Sequence, residues 1–293
     1  MISNIEIVDD IFQYDVSLQR YTSFKTGGVA EIFTEPRDIS ELKRVLQYCK
    51  NEQKKIFILG NGSNVLVNDN GIQGVVIYLG GTNFKNVKRN DNYVLSEAGT
   101  NLSQLIRKTS LWGLEGLELL VGIPGTVGGA VMMNAGGKYG SISETISSVT
   151  TMTFDGEIRN HNREDVDFTY RGCNLTEQIV IEVKFVLKES IKEKILARMN
   201  NIYKEKKEKQ PLSTFNAGCV FKNTHRFKAA ELIDKAGLKG KNVGGAIVSE
   251  KHANFIVNVG NATSNDILEL IKIVKETIKG KYNISLELEI KIW

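Results

Sequence analysis

Two glycine-rich stretches of this chain have the residue types to hold an anion on bare backbone. The longer is Val121-Gly-Ile-Pro-Gly-Thr-Val-Gly-Gly-Ala-Val-Met-Met-Asn-Ala-Gly-Gly-Lys-Tyr-Gly140. Glycine loses much conformational freedom on folding and packs nothing, so a cluster of it serves where the main chain turns at positive φ or lies against a ligand. Successive N–H groups can then form a concave site fit for a pyrophosphate. A turn-rich loop has the same composition, but a second cluster shifts the balance. In Ile56-Phe-Ile-Leu-Gly-Asn-Gly-Ser-Asn-Val-Leu-Val67 an apolar run meets Gly60-Asn-Gly-Ser-Asn64 and a further apolar run, which reads as strand, polar turn, strand. It is no Rossmann fingerprint, because Val65 stands where a helix should open and the Asn68-Asp-Asn-Gly71 turn follows at once. No Gly-Lys-Ser/Thr occurs, and His161, His225 and His252 lack zinc-site spacing.

An ordered set of motifs resembles the UDP-N-acetylenolpyruvoylglucosamine reductase (MurB) family. The set comprises Thr22-Ser-Phe-Lys-Thr-Gly-Gly-Val-Ala30, the Gly60–Asn64 turn, Gly122-Ile-Pro-Gly-Thr-Val-Gly-Gly-Ala130 and Met133-Asn-Ala-Gly136. It continues through Tyr170-Arg171, Gly218-Cys-Val-Phe-Lys-Asn223, Lys251-His-Ala-Asn-Phe-Ile-Val-Asn-Val-Gly-Asn-Ala-Thr263 and Leu286-Glu-Leu-Glu-Ile290, spanning nearly the whole chain. No insertion appears between residues 171 and 218, which places the resemblance in the shorter class of the family. The resemblance implies an α+β fold: a two-lobed FAD-binding domain of the vanillyl-alcohol-oxidase/PCMH type over residues 1–190, split near 60, then a smaller α/β substrate-binding domain over 191–293. It also implies non-covalent FAD, NADPH as hydride donor, and reduction of UDP-N-acetylglucosamine enolpyruvate to UDP-N-acetylmuramate in peptidoglycan precursor synthesis. Two other readings share these features: a flavin-dependent oxidase or dehydrogenase of a small alcohol on the same fold, and a non-enzymatic nucleotide-sugar binding protein. The oxidases often tether FAD through histidine, and no histidine lies in either glycine-rich loop.

In the resembled reaction the flavin supplies a hydride to a vinyl carbon, and the protein stabilises an enolate and delivers a proton. Three residues match the family's catalytic positions. Arg171 matches the arginine beside the enolpyruvyl carboxylate, where a planar guanidinium can take both oxygens; the family's later Ser-x-Phe-Lys is replaced here by Gly172-Cys173-Asn174-Leu175. Glu289 lies in an alternating run that puts Leu286, Leu288, Ile290 and Ile292 on one face and Glu287, Glu289 and Lys291 on the other. Alternation alone describes a solvated face; the resemblance selects Glu289 to orient or protonate the enolic carboxylate and leaves Glu287 as its control. Cys219 occupies the position where most of the family has serine, and a thiol of reference pKa near 8.5 is a competent proton donor. For the flavin the resemblance points to Asn61, Gly62, Ser63 and Asn64 at the pyrophosphate, and to Gly125, Thr126, Gly128, Gly129 and Asn134 along the ring and ribityl chain. For the substrate it points to Asn223, Lys222 and a lysine of the Lys204–Lys209 run.

The elements that must position these residues follow from periodicity. Asp38 and Glu41 form a capping-box-like start for a helix carrying Leu42, Val45, Leu46 and Cys49. Strands are predicted at 55–59, 75–79, 93–98, 149–154 and 179–187, and a short helix at Leu102, Leu105 and Ile106. A helix from Lys192 stops at Gln210-Pro211, since proline restricts its predecessor. The last segment should contain strands at 245–248 and 255–259, a helix capped by Thr263 and Asp266, and a strand from Ser285 to Trp293. The chain has 293 residues, 41% of them hydrophobic, and a net charge of +4 from 38 basic and 34 acidic side chains, so nucleic-acid binding is not demanded. Three cysteines argue for a reducing compartment. The Met1–Asp10 segment lacks a basic start and an apolar run, and no stretch of 18 apolar residues occurs. The expectation is a cytoplasmic protein without membrane, nucleic-acid or evident protein partners, and without a metal.

Overall fold

Asp38 opens helix α1 (Ile39–Asn51) by accepting the Glu41 N–H at 2.9 Å, and Leu42, Val45, Leu46 and Cys49 form its buried face, as the spacing predicts. The computed structural model describes residues 9–224 and 226–293; most of the Met1–Asp10 segment, and His225, lie outside these. The chain divides into two compact units, each assembled from three stretches. The first is Met1–Tyr14, Ile32–Asn61 and Gln73–Glu205, and the second is Asp15–Glu31, Gly62–Ile72 and Lys206–Trp293. Residue 190 lies inside the first unit.

Unit 1 has two cores. In one, α1 packs with strand Ile56–Leu59 and its parallel partner Ile72–Tyr78, burying Leu42, Val45, Leu46, Val75 and Ile77 together with Met152 and Ile181. Burial pushes the Cys49 thiol up to about 12, which makes it an inert apolar filler. The other core lies on a five-stranded antiparallel sheet in the order Ile158–Asn162, Ile146–Thr153, Gln178–Val186, Tyr93–Glu97, Val87–Asn90. The alternating Ile181, Val183 and Phe185 of its central strand are buried, as period two requires. Helices α2 (Leu102–Leu111) and α3 (Val127–Met132) bury Leu102, Leu105, Val127 and Val131 in the same core. Helix α4 (Lys192–Lys209) buries Ile195 and Ile202 and ends before Pro211.

Unit 2 is organised around helix α6 (Ser264–Tyr282), which Thr263 and Asp266 close with a reciprocal capping box. The Asp69 carboxylate also accepts the N–H groups of Ser264 and Asn265 at 2.9 and 3.0 Å, where the helix start favours negative charge. Ile267, Leu270, Ile271, Val274 and Ile278 share a core with helix α5 (Ala229–Lys235) and with the antiparallel strands Ala246–Val248 and Ile256–Asn258. The predicted final strand is the one element that changes form. Only Lys291–Ile292 is regular strand, paired in parallel with Val65–Leu66, and Glu289 and Ile290 form a bend. The bend is where the chain changes partners: Glu289 N–H donates to Val220 O and the Glu287 carbonyl accepts from Lys222 N–H, whereas Lys291 N–H donates to Asn64 O. Leu286 and Ile290 stay buried, but Ile292, expected on their face, is 41% exposed. The mixture of helices and separate sheets is the α+β class expected. No helix among the described residues is long and apolar enough to cross a membrane.

Candidate functional site

In unit 1 the two glycine-rich stretches meet. A Cβ on Gly60 would lie 2.4 Å from Thr126 Oγ1, and one on Gly128 would lie 2.9 Å from the Ala98 Cβ, so both positions require glycine for close approach. Thr126 caps α3 by accepting the Gly129 N–H. The N–H groups of Val127 and Gly128 donate to Thr100 O and Ala98 O at 2.9 and 2.8 Å. With the donors of residues 127–129 already engaged inside the protein, these glycines act by their missing side chains rather than as an anion cradle. Asn61 lies beside Gly80, whose added Cβ would reach Asn61 Oδ1 at 2.9 Å. Gly125 has φ +135°, and Asn134 sits in the left-handed region at φ +41°. The Asn134 Oδ1 is buried without a hydrogen-bond partner in the protein. A buried acceptor of this kind awaits a donor from elsewhere, and with the close approaches at Gly60 and Gly128 it fits a flat, polar-edged cofactor such as FAD.

Asn134 also locates Arg171. Its Nδ2 donates to Thr169 O at 3.0 Å, and Thr169 pairs with Gly172 in a hairpin whose two turn residues are Tyr170 and Arg171. Arg171 takes the second turn position at φ +65°, a conformation that costs a side-chain-bearing residue roughly 1–2 kcal/mol. Its guanidinium lies over the Tyr170 ring, 4.9 Å from the centroid. Cys173, to which the sequence assigns no role, anchors the same hairpin, with Sγ 3.9 Å from Met132 O at the end of α3. Burial pushes its thiol pKa up.

Unit 2 carries the other candidates. Cys219 is half-buried and follows Gly218, which has φ +78° and whose N–H donates to Asn216 Oδ1 at 2.9 Å. The next residue, Val220, accepts the Glu289 N–H at 2.8 Å, so Cys219 and Glu289 stand on adjoining paired segments. Asn64 Nδ2 donates to the Glu289 carbonyl at 3.1 Å, tying the expected pyrophosphate loop to the bend that presents Glu289. In that loop Gly62, at φ +59°, presses on Tyr21, whose carbonyl a Cβ would meet at 2.2 Å; Ser63 connects it to Asn64. Glu287 is 77% exposed and pairs with Lys222 at 3.5 Å, so the proposed control and a proposed substrate residue are partners. Asn223 Oδ1 accepts the Ala229 N–H and thereby caps α5.

Two supporting residues escape a reading of the sequence. The Tyr170-Arg171 pair gives no sign that the tyrosine ring lies under the guanidinium. Asn254, 3% exposed, accepts the Phe221 N–H and donates to the Phe221 carbonyl, satisfying the backbone two residues after Cys219. A lone asparagine between Ala253 and Phe255 in an apolar run is the signal that could have found it.

Known proteins are similar to this chain over most of its length. A family model described as "FAD binding domain" matches residues 30–162, and one described as "UDP-N-acetylenolpyruvoylglucosamine reductase, C-terminal domain" matches 210–293. Curated proteins named UDP-N-acetylenolpyruvoylglucosamine reductase are similar over almost the full length. The one from Clostridium novyi is 42% identical, covering 95% of this chain and 91% of the relative. The one from Pediococcus pentosaceus is 40% identical, covering 94% and 92%. The crystal structure of the Thermus caldophilus reductase (MurB) superposes with TM-score 0.82 at 38% identity, covering 95% of this chain and 97% of that one. The chain therefore belongs to the UDP-N-acetylenolpyruvoylglucosamine reductase family of FAD-dependent oxidoreductases.

Proposed function

We propose that this chain reduces UDP-N-acetylglucosamine enolpyruvate to UDP-N-acetylmuramate, with NADPH as the source of hydride, in the cytoplasm and in the service of peptidoglycan precursor synthesis. One pattern carries the reading. In each unit an asparagine of the cofactor set donates its side-chain N–H to the main chain of a catalytic segment: Asn134 to Thr169 in the Arg171 hairpin, and Asn64 to Glu289. Bound FAD supplies the hydride-transfer chemistry. Asn61, Gly62, Ser63 and Asn64 hold its pyrophosphate, and Gly125, Thr126, Gly128, Gly129 and Asn134 lie along its ring and ribityl chain. Arg171 donates two guanidinium N–H groups to the two oxygens of the enolpyruvyl carboxylate and stabilises the charge that grows on the enolate. Cys219 gives its Sγ proton to the enolate carbon, and Glu289 orients or protonates the enolic carboxylate. Asn223, Lys222 and the lysines that end α4 serve the sugar nucleotide. The functional division is 1–190 for the cofactor and 191–293 for the substrate. The cytoplasmic assignment is supported by the cysteines, since Cys49, Cys173 and Cys219 form no disulfide with one another.

The deciding experiment follows the flavin. Purified protein should be yellow, should release FAD into the supernatant on acid precipitation, should bleach with NADPH, and should regain its colour when the enolpyruvyl sugar nucleotide is added. Bleaching without recovery on that substrate would sink the reading while leaving a flavin oxidoreductase of another kind.

A further inference from the structure

Helix α4 lies between the stretches that the two family models match, 30–162 and 210–293, yet it grips the flavin segment at both ends. Before the segment, Glu118 is fully buried. Its carboxylate accepts the Gly116 N–H at 2.5 Å and an N–H of Arg198 at 2.8 Å, and Arg198 also reaches Glu115 at 3.5 Å. The turn Glu118–Leu120 that this fixes runs directly into Val121, whose N–H donates to Glu118 O. After the segment's asparagine, Gly136–Gly137 pairs with Gly140–Ser141 in a hairpin whose two turn residues are Lys138 and Tyr139. Glu205 takes both: its carboxylate accepts the Tyr139 hydroxyl, and Lys138 pairs with it at 3.2 Å. Arg198 and Glu205 are seven residues apart, about two helical turns, and so project from one side of α4. Between them Met199 packs against the core of the five-stranded sheet and Ile202 is buried, as is Ile195 one turn before Arg198.

We propose that Arg198 and Glu205 are positioning residues for the flavin, and that α4 is a splint holding the Val121–Gly140 segment by its two ends in the form that accepts FAD. The proposal rests on the reading that this segment is the FAD site. Within the segment α3 is held by its core, but the glycine-bearing stretches before and after it, Val121–Gly125 and Met133–Gly140, have many other conformations open to them. Two fixed ends remove most of them before the ligand arrives, and a preorganised site binds more tightly than one that must be ordered on binding.

The test measures the FAD dissociation constant of apoprotein prepared by acid release, together with apoprotein thermal unfolding. Glu205→Gln, and the double variant Arg198→Met/Glu118→Gln that leaves no buried charge unpaired, should each weaken FAD binding about fivefold or more. Arg198→Lys with Glu118 intact should recover part of the loss. Glu193→Gln, near the start of the same helix, should bind FAD as the parent does. Lowered thermal stability with FAD affinity within twofold of the parent would overturn the proposal, leaving α4 a mere structural contact. Gly128→Val separates the underlying reading, because it fills the gap to Ala98 inside the segment. FAD affinity surviving in a folded Gly128→Val would overturn the assignment of the segment itself, whereas loss there with parental affinity in both α4 variants would overturn the splint alone.

Discussion

The segment Val121–Gly140 and the segment Leu286–Trp293 are built in opposite ways for the roles proposed for them. In the first, what matters is the absence of side chains: Gly60 lets Thr126 approach, Gly128 lets Ala98 approach, and the local N–H groups are spent inside the protein. In the second, the proposed chemistry belongs to a side chain, that of Glu289, and the backbone bends at Glu289–Ile290 as it passes from Val220 and Lys222 to Asn64. A site made by removal tolerates no addition at a few points. A site made by aim tolerates most changes except at the one group presented.

The largest expected effect tests the aim. Glu289→Gln should lower turnover by about 10²–10⁴, the usual worth of a general acid or base. Glu287→Gln breaks only the exposed pair with Lys222, worth about 0–1 kcal/mol, and should leave turnover near the parent value. Equal losses at both positions in steady-state assays would mean that the bend does not separate the two carboxylates. Next comes the neighbouring segment: Cys219→Ser should keep substantial turnover, because a hydroxyl can stand in as donor, and Cys219→Ala should lose most of it. Stopped-flow traces should show NADPH still bleaching the alanine variant at near the parent rate. Steady-state turnover of the alanine variant within a few-fold of the parent would make Cys219 a packing residue. The smallest effect sharpens the other side of the comparison. Gly128→Ala should cost roughly 1–3 kcal/mol of stability by overpacking against Ala98. Gly137→Ala, whose added Cβ would meet nothing within 4 Å, should stay within about 0.5 kcal/mol in denaturant unfolding. Matching losses at the two glycines would remove the distinction between close-approach glycine and hairpin glycine.

Much of this was legible in the sequence because it is local. The Asp38 cap, the Thr263–Asp266 box, the stop of α4 before Pro211 and the alternation through Phe185 all depend on neighbours within a few residues. The bend at Glu289 was not legible: the Leu-Glu-Leu-Glu-Ile-Lys-Ile alternation continues unbroken through it, and the change of partner that causes it is a long-range event. The Arg171 hairpin was hidden for another reason, since strands of two residues have no period to read. The purpose of the glycines was half legible. Composition announced close approach or an anion cradle, and only the hydrogen bonds of Val127, Gly128 and Gly129 favour the former for that stretch.

The discontinuous make-up of unit 2 has a consequence for how the protein is born. Asn64 and Glu289, which share a hydrogen bond, are 225 residues apart in sequence. At a synthesis rate of about 5–20 residues per second, the ribosome needs roughly 10–45 seconds to travel between them. Throughout that time Val65–Leu66 has been made and its parallel partner has not, so an unpaired strand edge waits in the open. Unit 2 can close only after its third stretch emerges, which makes a translational pause in the second half of the message a period of aggregation risk.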